Sequence, residues 1–277
     1  MYSEEELLEA RRWLLQRLRN ERAMDADVLK QCYRYSELIA GVLMQRAGSG
    51  SRKTRAERVI GAVEGELSGL EVIEDALAEM LLEDCEILAC DRHDDKKGIL
   101  AWMYTNRGGY TLRDGVKRRC HTFIKDVAVF VMAGIVMGKD LKAVLKDMNK
   151  WLLSPWECPT VNDARRWCLF NGLLLTWNNG KKAFWRPNYG GGRETSSVKW
   201  LVKALRHAIA DAWMWYGHSS HLAKGAVGYY TVRGSSYPCA ACDANAAGGM
   251  YEMGDMEHLP PLHLHCVCMA VYVYNRR

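Results

Sequence analysis

The chain has 277 residues, of which 49% are apolar, and carries a formal net charge of +5 with a pI near 8.6. This composition excludes a wholly disordered chain and is that of a globular protein with one large domain or two modest ones. The mild positive charge is compatible with contact to nucleic acid or to an acidic surface, but it requires neither.

The first part of the chain, residues 1–105, is predicted to form helices. Ser3 is a helix-capping residue type followed by acidic residues that complement the helix dipole, and apolar residues then recur at helical spacing to about residue 46. The acidic start is unlike a secretory signal, so we expect the protein to be retained in a reducing cytoplasm. A second helical stretch, residues 56–90, has a strongly acidic polar face, which we interpret as a solvated or partner-facing surface.

The helical pattern breaks between residues 91 and 119, where a charged loop and a glycine turn mark a predicted domain boundary. Basic residues at 113–119 are close in sequence to aromatic residues, and basic residues recur in the loop at 181–193. Basic groups interleaved with aromatics can contact nucleic acid, so these two segments are candidate DNA-binding loops, although ordinary surface charge is the simpler explanation.

Helices are again predicted from residue 120 onward. The helix over 120–138 contains the longest apolar run of the chain, about twelve residues, which is too short to cross a bilayer. Further helices are predicted over 139–151, 163–177 and 196–216. The loop after the last of them is predicted to hold His218 and His221 as solvated side chains. The glycines at 190–192 lack the lysine and hydroxyl residue of a phosphate-binding loop, so we interpret them as a flexible loop.

The most specific motif lies near the C-terminus, and its two halves contain four of the ten cysteines and two of the eight histidines. Cys239 and Cys242 form a Cys-x-x-Cys pair, and His263 and Cys266 repeat the same offset about twenty residues later. Two such pairs can form the tetrahedral nitrogen and sulfur cage that zinc prefers in a closed structural site. Strands are predicted over 227–232 and 269–274, so the metal would pin the loop 243–262 at the end of a two-stranded ribbon.

Six candidate ligands compete for four coordination positions. The first choice is the set of two matched pairs: Cys239, Cys242, His263 and Cys266. Cys268 could replace His263, because residues two apart on a strand share a face. His265 is expected to be a solvated neighbour. We predict a structural zinc ion.

Three alternatives stay open at this point. A pair of disulfides is possible, although cytosolic thiols with this spacing more often bind metal. A deaminase-type catalytic zinc would need a His-x-Glu motif, and none of the upstream histidines is followed by that glutamate. A metal-dependent hydrolase, nuclease or toxin would need an open metal position and a nearby carboxylate, for which the loop supplies four candidates: Asp243, Glu252, Asp255 and Glu257.

Residues 120–273 resemble the Mu F-like head-morphogenesis (minor head) proteins of tailed bacteriophages. The resemblance rests on the order of the helices and on the ending Cys239-x-x-Cys242 followed by Pro260-Pro261-x-His263-x-x-Cys266-x-Cys268. The family ending reads Pro-Pro-x-His-Pro-x-Cys-Arg-Cys, and this chain departs from it with Leu264 and Val267. The helix over 196–216 also lacks the Arg-Thr-Glu-like run that is common in the family.

The resemblance implies a non-enzymatic minor capsid protein that acts in head morphogenesis in the bacterial host cytoplasm and is carried in the virion head. Its implied partners are portal and capsid proteins at the portal vertex, with DNA as a further candidate, self-association as an option and no membrane contact. We therefore expect a mainly α fold with a small C-terminal β-ribbon (α+β). The expected domains are a helical partner-docking region over 1–105 and a head-morphogenesis domain over 106–277, with the zinc-binding lobe at 235–270.

Overall fold

A computed structural model of the chain describes residues 4–65, 69–106, 109–185, 196–263 and 266–275. The predicted cap Ser3 and the glycine loop at 190–192 lie outside the described residues. Nine α-helices occur in the described part of the chain: α1 Glu4–Ala47, α2 Arg52–Glu64, α3 Leu70–Ala89, α4 Lys96–Met103, α5 Leu112–Val136, α6 Leu141–Trp151, α7 Pro159–Phe170, α8 Ser197–Ala223 and α9 Ala240–Ala247. The strands are β1 Leu175–Thr176, β2 Lys182–Ala183, β3 Ala226–Val232, β4 Met250–Glu252 and β5 Met269–Tyr274. The predicted mainly α fold with a small C-terminal β element is confirmed.

Local sequence signals explain several helix ends. Asp95 and Asp140 each accept a hydrogen bond from the backbone N–H three residues later, at 2.8 Å, and so cap α4 and α6. Gly138 has a positive φ of 72°, and the N–H of Lys139 donates to the Gly134 carbonyl at 2.8 Å, which closes α5 as predicted.

Three helices differ from their predicted bounds, and a fourth, α4, lies in the segment 91–119 where the helical pattern was predicted to break. The helix predicted over 120–138 begins at Leu112, so the basic residues at 113–119 lie in its first two turns and not in a loop. The helix expected over 163–177 begins at Pro159, a residue type that fits the first helical turn, and ends at Phe170 before a glycine with φ of 70°.

Helix α8 continues two turns past the predicted end, so His218 and His221 lie on a helix and not in a loop. The expectation of a solvated side chain is also wrong for His218. That side chain is buried on α8, and its Nε2 lies 2.8 Å from the Met253 carbonyl oxygen.

By the contacts between its residues, the chain divides into two compact units. The first contains Met1–Ala26, Leu82–Leu112 and Lys203–Arg277, and the second contains Asp27–Leu81 and Arg113–Val202. Each unit thus joins segments that are distant in sequence, whereas the expected domains, 1–105 and 106–277, are consecutive. A break in the helical pattern reports only the local character of the chain, and it carries no information on which distant helices pack together.

In the second unit the core forms around α5, whose residues from 122 to 136 are all buried. No helix in the described ranges is both long and apolar enough to cross a bilayer. The basic start of α5 faces acidic residues of α3: Arg113 pairs with Glu79, and Lys117 Nζ lies 2.9 Å from Asp75. The Arg119 guanidinium lies 4.5 Å from the centre of the Trp200 ring. The positive charges at 113–119 are therefore partly neutralised by acidic residues of the 56–90 segment within the same unit.

A buried carboxylate, Asp126 of α5, joins three segments of the second unit. Its oxygens accept hydrogen bonds from Trp185 Nε1 at 3.2 Å and from the Ser197 backbone N–H at 3.0 Å, at the start of α8. We expect Asp126→Ala to lower the free energy of unfolding of this unit by about 2–4 kcal/mol, because two buried donors lose their acceptor. The matched control is Asp140→Ala, which removes an exposed cap and should cost about 1 kcal/mol. Urea unfolding of both variants measures the difference, and equal losses would contradict the prediction.

In the first unit, β3 is the centre of a three-stranded antiparallel sheet with the order β4-β3-β5. The ribbon of β3 and β5 is the predicted one, with Tyr229 opposite Tyr272, and the short strand β4 adds a third strand that the sequence did not predict. One face of the sheet packs on α8 through Met214 and Tyr229, and Trp13 of α1 packs against the same cluster. This sheet supports the segments that carry the cysteine and histidine motif.

Candidate metal centre

The two halves of the motif reach the same point from different elements. After β3 the chain turns at Cys239, which is the residue before α9, and Cys242 lies in the first turn of that helix. The second half follows Pro260 and Pro261, and its last two cysteines precede β5. Because β3 and β5 are paired, the segments at their ends are held side by side.

The five ligands named from the sequence lie in one cluster. The Nε2 atom of His263 is 3.2 Å from Cys239 Sγ and 3.0 Å from Cys242 Sγ. Cys242 Sγ is 3.8 Å from Cys266 Sγ, and the donor atoms of Cys242, Cys266 and Cys268 all lie within 4.8 Å of one another. Cys242 thus belongs to both groups of three. His265, expected to be a solvated neighbour, lies outside the described residues.

These distances fit a shared metal ion. With metal–sulfur bonds of about 2.3 Å and tetrahedral angles, two sulfurs on one zinc ion lie about 3.8 Å apart, which is the distance from Cys242 to Cys266. The same geometry places nitrogen and sulfur about 3.6 Å apart, so the His263 contacts would lengthen slightly on binding. A disulfide needs about 2.05 Å between sulfurs, and all ten cysteines are free thiols. The cluster can hold a metal ion, and it contains no disulfide.

Burial and hydrogen bonding divide the four thiols into two kinds. A hydrogen bond from Cys268 holds the pKa of Cys266 at about 5, and the same hydrogen bond raises the pKa of Cys268. The backbone N–H of Cys242 lowers the pKa of Cys239, whereas burial raises the pKa of Cys242 itself to about 12. Each half of the motif therefore pairs a thiol of lowered pKa with one of raised pKa, and a metal that binds both would have to displace their protons.

The four carboxylates proposed for a catalytic metal lie elsewhere. Asp243 pairs with Arg233, and Asp255 lies 2.8 Å from the ring of His258, which holds the pKa of that carboxyl below its usual range. Glu252 and Glu257 are exposed. Among the described residues, no carboxylate oxygen joins either group of candidate ligand atoms. The ligand set is therefore made of nitrogen and sulfur alone.

A residue that the sequence analysis missed, Arg17 of α1, lies against this cluster. Its side chain is fully buried, and its Nη2 donates a hydrogen bond to the Cys266 carbonyl oxygen at 3.3 Å. Burial lowers the pKa of Arg17, and the negative charges of Glu21, Cys266 and Cys268 oppose that shift. The guanidinium thus supplies positive charge beside thiolates that would carry negative charge.

The partner of Arg17 is itself held in place. Glu21 lies 3.1 Å from Arg17 Nε and accepts a hydrogen bond from Arg206 of α8 at 3.2 Å, so α1, α8 and the cysteine segment share one buried ionic network. A signal for it does exist in the sequence. Arg17 and Glu21 interrupt an apolar stripe of three- and four-residue spacing between Leu14 and Met24, at positions where a side chain must face the core.

Comparison of the chain with protein-family models, with curated proteins and with solved structures finds no match.

Proposed function

We propose that the cluster of Cys239, Cys242, His263, Cys266 and Cys268 binds a structural zinc ion that holds the C-terminal lobe, residues 235–270, in shape. The observation that carries the proposal is the donor set, because four thiols and an imidazole without a carboxylate match closed zinc sites. The segment between the two halves contains only a short helix and a three-residue strand. A metal cross-link supplies the stability that so small a lobe cannot obtain from its own core.

We further propose that the protein acts without catalysis, as a minor head protein in the assembly of a phage capsid. The resemblance supplies the biological setting, with portal and capsid proteins as partners and the virion head as location. Two features of the fold support a scaffolding role: an all nitrogen and sulfur ligand set, and large apolar side chains left exposed on helices, among them Phe170 at 89% and Val72 at 74%. Contiguous exposed apolar patches mark surfaces that a partner covers, so Phe170 and Val72 are the first side chains to test for such a contact.

The assembly role is tested in an induced lysogen of the phage that encodes the chain. The tagged protein is expected to co-purify with portal and major head proteins, and deletion of its gene should leave defective heads. A Phe170→Ser variant should weaken co-purification while retaining its metal, which separates docking from folding. Absence of the protein from heads and from assembly intermediates would refute the role. Turnover of an ester, peptide or phosphodiester substrate by the zinc-loaded chain would favour the hydrolase or nuclease alternative instead.

A further inference from the structure

An open groove of about 550 Å³ lies on the first unit, away from the cysteine cluster. Three arginines line it: Arg12 and Arg19 from α1, and Arg92 from the turn before α4. Arg12 and Arg19 are seven residues apart, which places them on the same face of the helix about two turns from each other. The groove is therefore bordered by positive charge along its length.

Little of this charge is neutralised by the protein. Arg12 and Arg19 are exposed, and neither forms an ion pair within the described part of the chain. Arg92 is 73% exposed, and its ion pair with Asp91 is long, at 3.9 Å. The Asp91 carboxylate also accepts hydrogen bonds from Gln16 and Asn20. Arg92 also has a φ of 60°, a left-handed conformation that few residues other than glycine adopt and that is concentrated at functional sites. Glu9 is the one acidic residue among those that line the groove.

The floor of the groove is aromatic and contains an unsatisfied polar group. The ring of His93 is 8% exposed and lies between Trp213, at 4.3 Å, and Tyr216, at 4.2 Å. Its Nε2 is buried and has no hydrogen-bond partner among the described residues. Trp13, which also lines the groove, stands 5.7 Å from Trp213. A buried polar atom without a partner is costly, so a polar group that entered the groove and reached this nitrogen would be favoured.

We infer that this groove binds nucleotide units, with phosphate at the arginines and a base against the aromatic floor. Guanidinium groups recognise phosphate oxygens with paired hydrogen bonds, and half-buried rings such as Trp13 and Tyr216 offer faces or edges for base stacking. The same chemistry is presented by a free nucleotide and by a single strand of nucleic acid. The inference is independent of the proposed assembly role, and it concerns different residues from the candidate DNA-binding segments at 113–119 and 181–193.

The test measures binding of a fluorescent twelve-nucleotide oligothymidylate to the full chain by anisotropy, with an unlabelled mononucleotide and a duplex as competitors. We expect the double variant Arg12→Gln/Arg19→Gln to weaken strand binding about tenfold or more and to lower the slope of log K against log salt by about 1.4, since two phosphate contacts are lost. The matched control is Arg11→Gln/Arg22→Gln, which removes the same charge from exposed residues of α1 that do not line the groove. It should bind within about twofold of the parent.

The competitors identify the source of the ligand. If the mononucleotide displaces the probe at a concentration close to that of the binding sites, the groove is assigned to a free nucleotide. If only single strands displace the probe, the groove is assigned to single-stranded nucleic acid. Quenching of tryptophan fluorescence should accompany either outcome, and Trp13→Leu should reduce it. Equal loss of affinity in the two double variants, or no binding of any probe, would overturn the inference. Circular dichroism of each variant verifies that the fold is retained.

Discussion

Replacing Cys239 or Cys266 by serine is expected to abolish stoichiometric zinc binding and to unfold the C-terminal lobe while most of the helical content remains. The sulfurs come from opposite halves of the motif, so the loss of either one leaves the two segments without a complete cross-link. Binding to a structural zinc site contributes free energy on the order of 10 kcal/mol to folding, and serine is a poor ligand. Metal analysis should give about one zinc per chain in the parent and almost none in either variant.

The unfolding should be local. Hydrogen exchange or limited proteolysis is expected to show loss of protection across residues 235–270, and far-UV circular dichroism should change little because only the short helix α9 lies in that range. Cys90→Ser is the matched control, since Cys90 is buried in the same unit but lies outside both groups of candidate ligands. A variant that kept the zinc content of the parent, or a parent that bound no metal, would contradict the prediction.

Replacing Arg17 by methionine is expected to weaken metal retention and destabilise the first unit together. Methionine keeps most of the side-chain volume, so the effect reports the lost charge and hydrogen bond. Glu21 keeps Arg206 as a partner, but the Cys266 carbonyl loses its donor and the thiolates lose a buried positive charge. Breaking such a network costs about 3 kcal/mol, and loss of an outer-shell contact lowers metal affinity roughly 10-fold to 100-fold.

Both quantities can be measured on one preparation. Chelator competition gives the metal affinity, and urea unfolding with and without excess zinc gives the stability. Arg19→Met is the matched control, because Arg19 is exposed two residues further along α1 and makes no ion pair within the described ranges. A purely packing role would lower stability and leave chelator resistance unchanged, and that outcome would refute a role for Arg17 in supporting the metal.

The ligands could be predicted because the information is local. A Cys-x-x-Cys pair brings two sulfurs together whatever surrounds it, and the alternation of apolar residues in 227–232 and 269–274 indicates strands without knowledge of their partners. The same reasoning identified the apolar helix ending at Gly138, since the glycine conformation is a property of a few adjacent residues. Strand β4 was not predicted, because three residues are too few to show an alternation of apolar and polar side chains.

The contacts made by distant side chains could not be predicted in this way. The basic residues at 113–119 were a candidate DNA-binding segment, with ordinary surface charge as the simpler explanation. Several of them pair with α3 or cover Trp200, and only the packing of distant helices determines that. His218 was expected in solvent because its helix was predicted to end at residue 216, whereas α8 continues to Ala223. The arginine-lined groove was not predicted for the same reason, since Arg92 is more than a hundred residues from Trp213 and Tyr216 in the sequence.

The sequence by itself determined the mainly α class, the two ends of the metal site and the ribbon that joins them, because each depends on spacings within a few residues. Only the tertiary structure decided that Arg17, far from the cysteines in sequence, lies buried beside them, and that the charges of α3 and α5 neutralise each other. The physical reason is that burial and charge pairing are properties of surfaces brought together by folding. A short stretch of sequence determines its own local conformation, but it does not determine which distant segments will pack against it.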